Sequence, residues 1–254
     1  MMERVDALSR AETVVQQPSA IADGCASNDG AVFLLNGSAR EAPRVTESPA
    51  RQSHAFTNRC LDLVLASLLL VLMLPLMGLC ALSVLLTSRG PLLFKQPRVG
   101  RDGRVFNCLK FRTMIVDADA AIQRILQSSK EAQEQWLAVQ KLQDDPRITP
   151  VGRLLRRYCL DELPQLFNVL AGEMSIVGPR PIVGNEISRY GPRFLDYCSV
   201  KPGLTGLWQV SGRHSLSYDQ RVRLDSEYAR TKSVSTDLII LWRTVPLVLL
   251  GFNE

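Results

Sequence analysis

Two adjacent carboxylates, Asp161 and Glu162, follow three arginines, Arg153, Arg156 and Arg157, in the stretch VGRLLRRYCLDELPQLFNVLAGEMSIVGPRP (151–181). The order predicts a helix start: Asp161 is a candidate N-cap, Pro164 falls in the first turn, and Gly172 can close the helix after Ala171. Free N–H groups and the positive end of the helix dipole favour anions there. Both acids are therefore expected to stay ionised, which suits a nucleophile or a hard-cation ligand better than a general acid. Neighbours on one helix diverge in direction, so they do not face each other across a sugar as a glycosidase pair must. Adjacent acids can instead divide labour, one attacking phosphorus and the other holding Mg²⁺ on its oxygens. The same spacing is also what plain helix-start acids look like.

Phosphate chemistry needs cations. The chain supplies Lys110 and Arg112 in KFRTM, Arg156, Arg180 between two prolines in GPRP, and Arg213 in SGR. Two histidines, His54 and His214, are too few and too isolated for an HExxH zinc site. The six cysteines form no CxxC pair and read as reduced packing residues.

The elements that position these groups are legible in outline. Residues 1–58 are rich in Ser, Ala, Pro, Asn and Gln without sustained periodicity, and read as a disordered tail. The tail holds five Arg against seven acids, so the chain's net charge of +5 conceals about +7 from residue 59 onward. Leu63 to Leu86 carries no charge over 24 residues, long enough as a helix to cross a bilayer core of about 30 Å. Pro75 interrupts its middle, and Arg or Lys flanks both ends. A single span and a helix that breaks at Pro75 and returns through one leaflet both fit.

Downstream, two short segments around Val99-Gly100-Arg101-Asp102-Gly103 predict a β-hairpin. Ile115 to Leu142 predicts a solvated helix or helical hairpin ended by Asp145-Pro146. Leu238 to Phe252 suits an interfacial helix with Trp242 and Arg243 near headgroups, or a C-terminal core helix. The fold class is α+β and mostly helical, with membrane-associated segments and a catalytic region over 91–254.

KFRTM (110–114), LDELPQLFNVL (160–170), GEMSIVGPRP (172–181) and KPGLTGLWQVSGR (201–213) occur in the order found in the bacterial sugar transferases, which this chain resembles from about Arg59 to its end. These are small monotopic phosphoglycosyl transferases acting on polyprenyl phosphate. KLQDDPRIT (141–149) and GLWQVSGR further resemble the ExoY type, which transfers galactose phosphate to start exopolysaccharide synthesis.

The resemblance implies a re-entrant helix over 59–90, a UDP-sugar donor, undecaprenyl phosphate as acceptor, Mg²⁺ as cofactor, and a catalytic domain on the cytoplasmic face of the inner membrane. Asp161 matches the nucleophile and Glu162 the metal ligand. Arg156 matches a phosphate-binding position, Arg180 and Arg213 match substrate-contacting arginines, and Asp237 an acidic residue near the active site. Arg59 and Asp62 match an interfacial anchor pair. Where the family carries Ser-Pro at the helix break, this chain has Leu74-Pro75. Other exopolysaccharide glycosyltransferases are partners the resemblance allows. The competing reading is a non-catalytic, membrane-anchored basic adaptor that binds anionic lipid or export proteins. Nucleic-acid binding is not expected, since aromatics are scarce near the basic residues.

Overall fold

The computed structural model describes residues 49–139, 142 and 144–250. The predicted tail therefore lies outside the described residues up to 48, and its last part does not hold: helix α1 begins at Pro49, well before Arg59.

The elements in chain order are α1 (Pro49–Thr87), β1 (Leu93–Val99), β2 (Val105–Phe111), α2 (Ala118–Ser128), α3 (Lys130–Val139), α4 (Pro150–Arg157), α5 (Gln165–Ala171) and β3 (Ser175–Val177). They continue with α6 (Ile187–Tyr190), α7 (Phe194–Cys198), β4 (Gly203–Thr205), α8 (Leu207–Ser211), α9 (Tyr218–Thr231) and α10 (Val234–Leu250). Among the described residues two small sheets sit between the helices, β1 antiparallel to β2 and β3 parallel to β4.

The β1–β2 hairpin turns through Asp102 and Gly103, at φ 59° and 73°. Positive φ at both central residues is what an Asp-Gly step supplies most readily. The register pairs Phe94 with Lys110, Gln96 with Cys108 and Arg98 with Phe106. Paired residues point to one face, so these six side chains share it.

Helix α1 packs lengthwise on the rest of the fold. Ala66 joins a core with Phe106, Leu166, Met174 and Tyr228, while Met77, Cys80 and Val84 join a second core with Phe111 and Leu155. Its other face is apolar and bare: Val64, Leu68, Val71, Leu79 and Leu86 are all exposed. Among the described residues, one helical stretch, Thr57–Thr87, is long and apolar enough to cross a membrane. A bare apolar face of this length marks a surface made for lipid or partner, not water. Pro75 lies inside α1 without dividing it, so the predicted break does not appear as two separate helices.

Helix α10 repeats the pattern at smaller scale. Ile240 is fully buried and the Thr244 hydroxyl hydrogen-bonds that of Thr205 at 2.8 Å, while Leu238, Ile239, Trp242 and Leu249 are exposed. It is thus both a packed helix and one that presents an apolar face.

Candidate active site

The carboxylate pair is positioned by a chain of local constraints. Thr149 caps α4 by accepting from the Gly152 N–H at 2.9 Å, and Pro150 occupies the first turn. Gly152 lies against the Thr113 carbonyl, where an added Cβ would stand 2.1 Å from that oxygen. Only glycine allows α4 so close to the end of β2. Cys159 then adopts a left-handed conformation, φ 54°, and a tight turn over Leu160–Glu162 carries both acids.

The predicted N-cap is corrected here. Asp161 sits inside that turn, Pro164 is the residue preceding α5, and the chain enters the helical path at Cys159. The C-terminal prediction holds, with Gly172 at φ 87° ending α5. Asn168 ties α5 to β2: its side-chain oxygen accepts from the Leu109 N–H at 3.0 Å, and its amide donates to the Asn107 carbonyl at 2.8 Å. This fixes Glu162 opposite Lys110.

Lys110 Nζ donates to Glu162 Oε1 at 2.6 Å. The pair lies in a cleft lined also by Arg98, Cys108, Gln165, Arg180, Leu204 and Gln209. Burial works to raise the Glu162 pKa, yet Lys110, Arg180 and Arg98 together hold it below the usual carboxylate range. Asp161 is buried, 7% exposed, and behaves oppositely. Burial pushes its pKa up and Glu162 adds to this, against the pull of Lys110 and Arg156. The expectation that helix-end N–H groups and arginines would hold both acids firmly ionised is therefore right in direction for Glu162 only. The cost of taking Asp161 out of water outweighs the neighbouring cations.

Of the cations expected at the site, Lys110 and Arg180 line the cleft. Arg156 Nε donates to Thr113 Oγ1 at 2.9 Å on the Asp161 side. Arg213 is half-buried, donates from Nε to the Gln209 carbonyl at 3.0 Å, and lies close enough to Cys159 to oppose the burial that lifts that thiol to about 12. Arg112 turns toward the end of α1, donating to both the carbonyl and the hydroxyl of Ser88 at 2.7 Å.

Asp237 is not in the cleft. It accepts from Tyr228 at 2.6 Å, beside the Val177 carbonyl that the same hydroxyl reaches at 3.0 Å. Arg59 donates to the Val169 and Leu170 carbonyls at 2.6 and 2.8 Å, and Asp62 accepts from Ser175 Oγ and the Ile176 N–H. These two anchor α1 to the domain itself.

Arg98, Gln165 and Gln209 enter the cleft without having been singled out from the sequence. Arg98 is held by Gln96 and the Pro181 carbonyl at 2.6 to 3.2 Å, so its guanidinium is fixed before any ligand arrives. The signal for Arg98 was in the hairpin: alternation from Lys110 through the Asp-Gly turn puts Arg98 on the Lys110 face.

A mostly helical α+β fold with a bare apolar helix face, and Glu162 paired with Lys110 in a cleft shared with Arg98 and Arg180, fits a transferase that handles phosphate, and the chain belongs to the bacterial sugar transferase family, whose model matches residues 53–251. It is 44% identical over 195 residues to the exopolysaccharide production protein ExoY of Sinorhizobium fredii, covering 77% of this chain and 86% of that one. It is 43% identical to the undecaprenyl-phosphate galactose phosphotransferase of Salmonella typhimurium, over 81% of this chain and 43% of that protein. Similarity to the UDP-glucose:undecaprenyl-phosphate glucose-1-phosphate transferase of Escherichia coli is 38%, over 78% of this chain and 41% of that protein.

Proposed function

We propose that the chain transfers a hexose 1-phosphate, galactose 1-phosphate by its likeness to relatives named for galactose transfer, from a UDP-sugar to undecaprenyl phosphate as the first membrane step of exopolysaccharide synthesis. The observation that carries this reading is the Lys110–Glu162 pair in a cleft that Arg98 and Arg180 also line, with the buried Asp161 next in the chain and under the influence of Lys110 and Arg156. An Asp161 oxygen attacks the β-phosphorus, the bond to the UMP oxygen breaks, and UMP leaves with that electron pair. A phosphate oxygen of undecaprenyl phosphate then attacks the same phosphorus and displaces the Asp161 carboxylate, forming the lipid diphosphate sugar. Lys110, Arg98 and Arg180 take up charge on the diphosphate, the two guanidinium groups offering paired donors to its oxygens.

Among the described residues no three His, Cys, Asp or Glu side chains cluster as a metal cage. Glu162 with one oxygen outside its ion pair fits Mg²⁺, which is commonly held by one or two carboxylates plus substrate phosphates. When bound there, Mg²⁺ neutralises charge developing on the phosphate oxygens.

The way α1 is tied to the fold supports a membrane placement. Arg59 and Asp62 near one end and Ser88 just past the other are all bonded to the same folded body. A helix tied at both ends to one body does not put those ends on opposite sides of a hydrocarbon core about 30 Å thick. This supports monotopic attachment, with a bend at Pro75 carrying the apolar face into one leaflet, both ends cytoplasmic, and α10 lying in the interface of the inner membrane. Accessibility labelling of cysteines placed at 52 and 92 tests this: reaction from the cytoplasmic side at both is expected, and opposite sides would refute it.

The function is tested by incubating the protein with undecaprenyl phosphate and a panel of UDP-sugars. UMP release with lipid-linked product from UDP-galactose is expected; product from no UDP-sugar would leave the adaptor reading standing.

A further inference from the structure

Arg112 is the next even position after Lys110, beyond the end of β2, and is 7% exposed. Its Nη2 is engaged by Ser88, but Nε and Nη1 are buried without any hydrogen-bond partner. A buried guanidinium with two unsatisfied nitrogens is costly, and its planar donors match a phosphate.

Its surroundings indicate which phosphate. Nη1 lies 2.4 Å from where a Cβ on Gly90 would stand, and the Val116 side chain lies 2.8 Å from the same point. The cover over the guanidinium is thus thin, made of a glycine and an exposed valine. Apolar side chains are exposed in the segments that meet there, Leu86 in the last turn of α1 and Ile115 and Val116 just past Arg112. A nucleotide diphosphate offers nothing to such a surface, whereas an isoprenoid phosphate offers a charged head and an apolar tail together. The next residue, Thr113, accepts from Arg156, one of the cations acting on Asp161, so the chain at 112–113 connects this spot to the surroundings of the reacting carboxylate.

We propose that Arg112 binds the phosphate of the polyprenyl acceptor, delivered along the C-terminal end of α1, while Arg98 and Arg180 on the Glu162 side take the donor diphosphate. The assignment rests on the two-step transfer proposed above and divides its cations between the two steps.

The half-reactions separate these roles. UMP released in a single turnover without acceptor reads the donor step; lipid product with varied undecaprenyl phosphate reads the acceptor step. For Arg112→Gln, single-turnover UMP release within about threefold of the parent and a KM for undecaprenyl phosphate raised at least tenfold are expected, with Arg112→Lys recovering part of the loss. Because Arg112 is buried, Val116→Glu provides an independent surface variant: its carboxylate competes for the guanidinium and is expected to raise the same KM about tenfold.

Equal loss of both half-reactions in folded Arg112→Gln, or an unchanged acceptor KM in either variant, overturns the assignment. The same assays in phosphatidylcholine discs with and without phosphatidylglycerol distinguish the acceptor from bulk anionic lipid. Competition by phosphatidylglycerol that disappears in Arg112→Gln would make this a general headgroup site instead. If the parent releases no UMP from any UDP-sugar, the two-step reading fails; if it does and Arg112 proves indifferent, only this inference fails.

Discussion

Two clusters in this molecule are built from the same residue types and do different work. Around Arg59, Asp62, Tyr228 and Asp237, donors and acceptors are spent on one another and on backbone: Arg59 on two carbonyls ending α5, Asp62 on Ser175 and Ile176, Tyr228 on Val177 and Asp237. In the cleft, Arg98, Lys110, Glu162 and Arg180 converge on a shared space, and only one ion pair, Lys110–Glu162, closes among the four at hydrogen-bond distance. Charge turned toward backbone fastens elements, and charge turned toward a common opening is available to a ligand. Arg98 shares both characters, since Gln96 and the Pro181 carbonyl hold its guanidinium while it lines the cleft; residue type and motif position do not separate fastening from ligand-facing charge, whereas a place on a shared opening does.

The sharpest way to break this contrast is Asp161→Asn. It is expected to cut UMP release and lipid product by more than about 1,000-fold, as removal of an attacking group does. Stability is not expected to fall, because burial already disfavours the ionised carboxylate at this position. Near-normal turnover would remove Asp161 from the chemistry. Glu162→Gln should lower activity less, by about 10² or more, and shift the Mg²⁺ titration to higher concentration; an unmoved titration would contradict its role as ligand.

On the other side of the comparison, Asp62→Ala leaves the buried Ile176 N–H and Ser175 hydroxyl without their acceptor. A loss of about 1 to 3 kcal/mol in stability is expected, read by denaturation in detergent. Turnover per folded molecule should stay within about threefold of the parent; a selective loss of kcat would move Asp62 from fastening to catalysis.

Much of this division was hidden in the sequence for identifiable reasons. The β-hairpin is legible because Asp-Gly supplies two left-handed residues, and the helical character of Ile115 to Leu142 because of its composition and sparse apolar stripe, although one helix and a helical hairpin fit that stripe alike and the structure has two helices there. The start of α5 was misplaced since Pro and paired acids mark first turns in general, while the actual entry depends on Cys159, a residue with no preference for positive φ. Lys110, Glu162 and Arg180 could be named from motif chemistry. Arg98 read as a flanking charge on the apolar run until strand register put it beside Cys108 and Lys110. Asp237 shows the reverse case, since a place in a family pattern does not tell that its carboxylate holds a buried tyrosine here.

The smallest effect is also the most diagnostic of how the pair is tuned. Burial raises the Asp161 pKa and Lys110 is the foremost group opposing it; Glu162 is held low chiefly by Lys110 as well. As a nucleophile Asp161 must be ionised, so kcat/KM for the donor should fall on the acid side, at a pH above that of an ordinary aspartate. In Lys110→Met both carboxyls lose their main cation, and as a coupled pair both titrate higher. The acid limb should therefore move to higher pH, whatever the drop in its plateau. The stability consequences run in opposite directions. The depressed Glu162 contributes stability that is present above its unfolded pKa and is lost as pH falls through its folded one, and Lys110→Met should weaken that contribution. The raised Asp161 costs stability once ionised, and its cost should grow in the same variant. A pH profile of Lys110→Met superimposable on that of the parent after scaling would show that Lys110 binds substrate without tuning the acids.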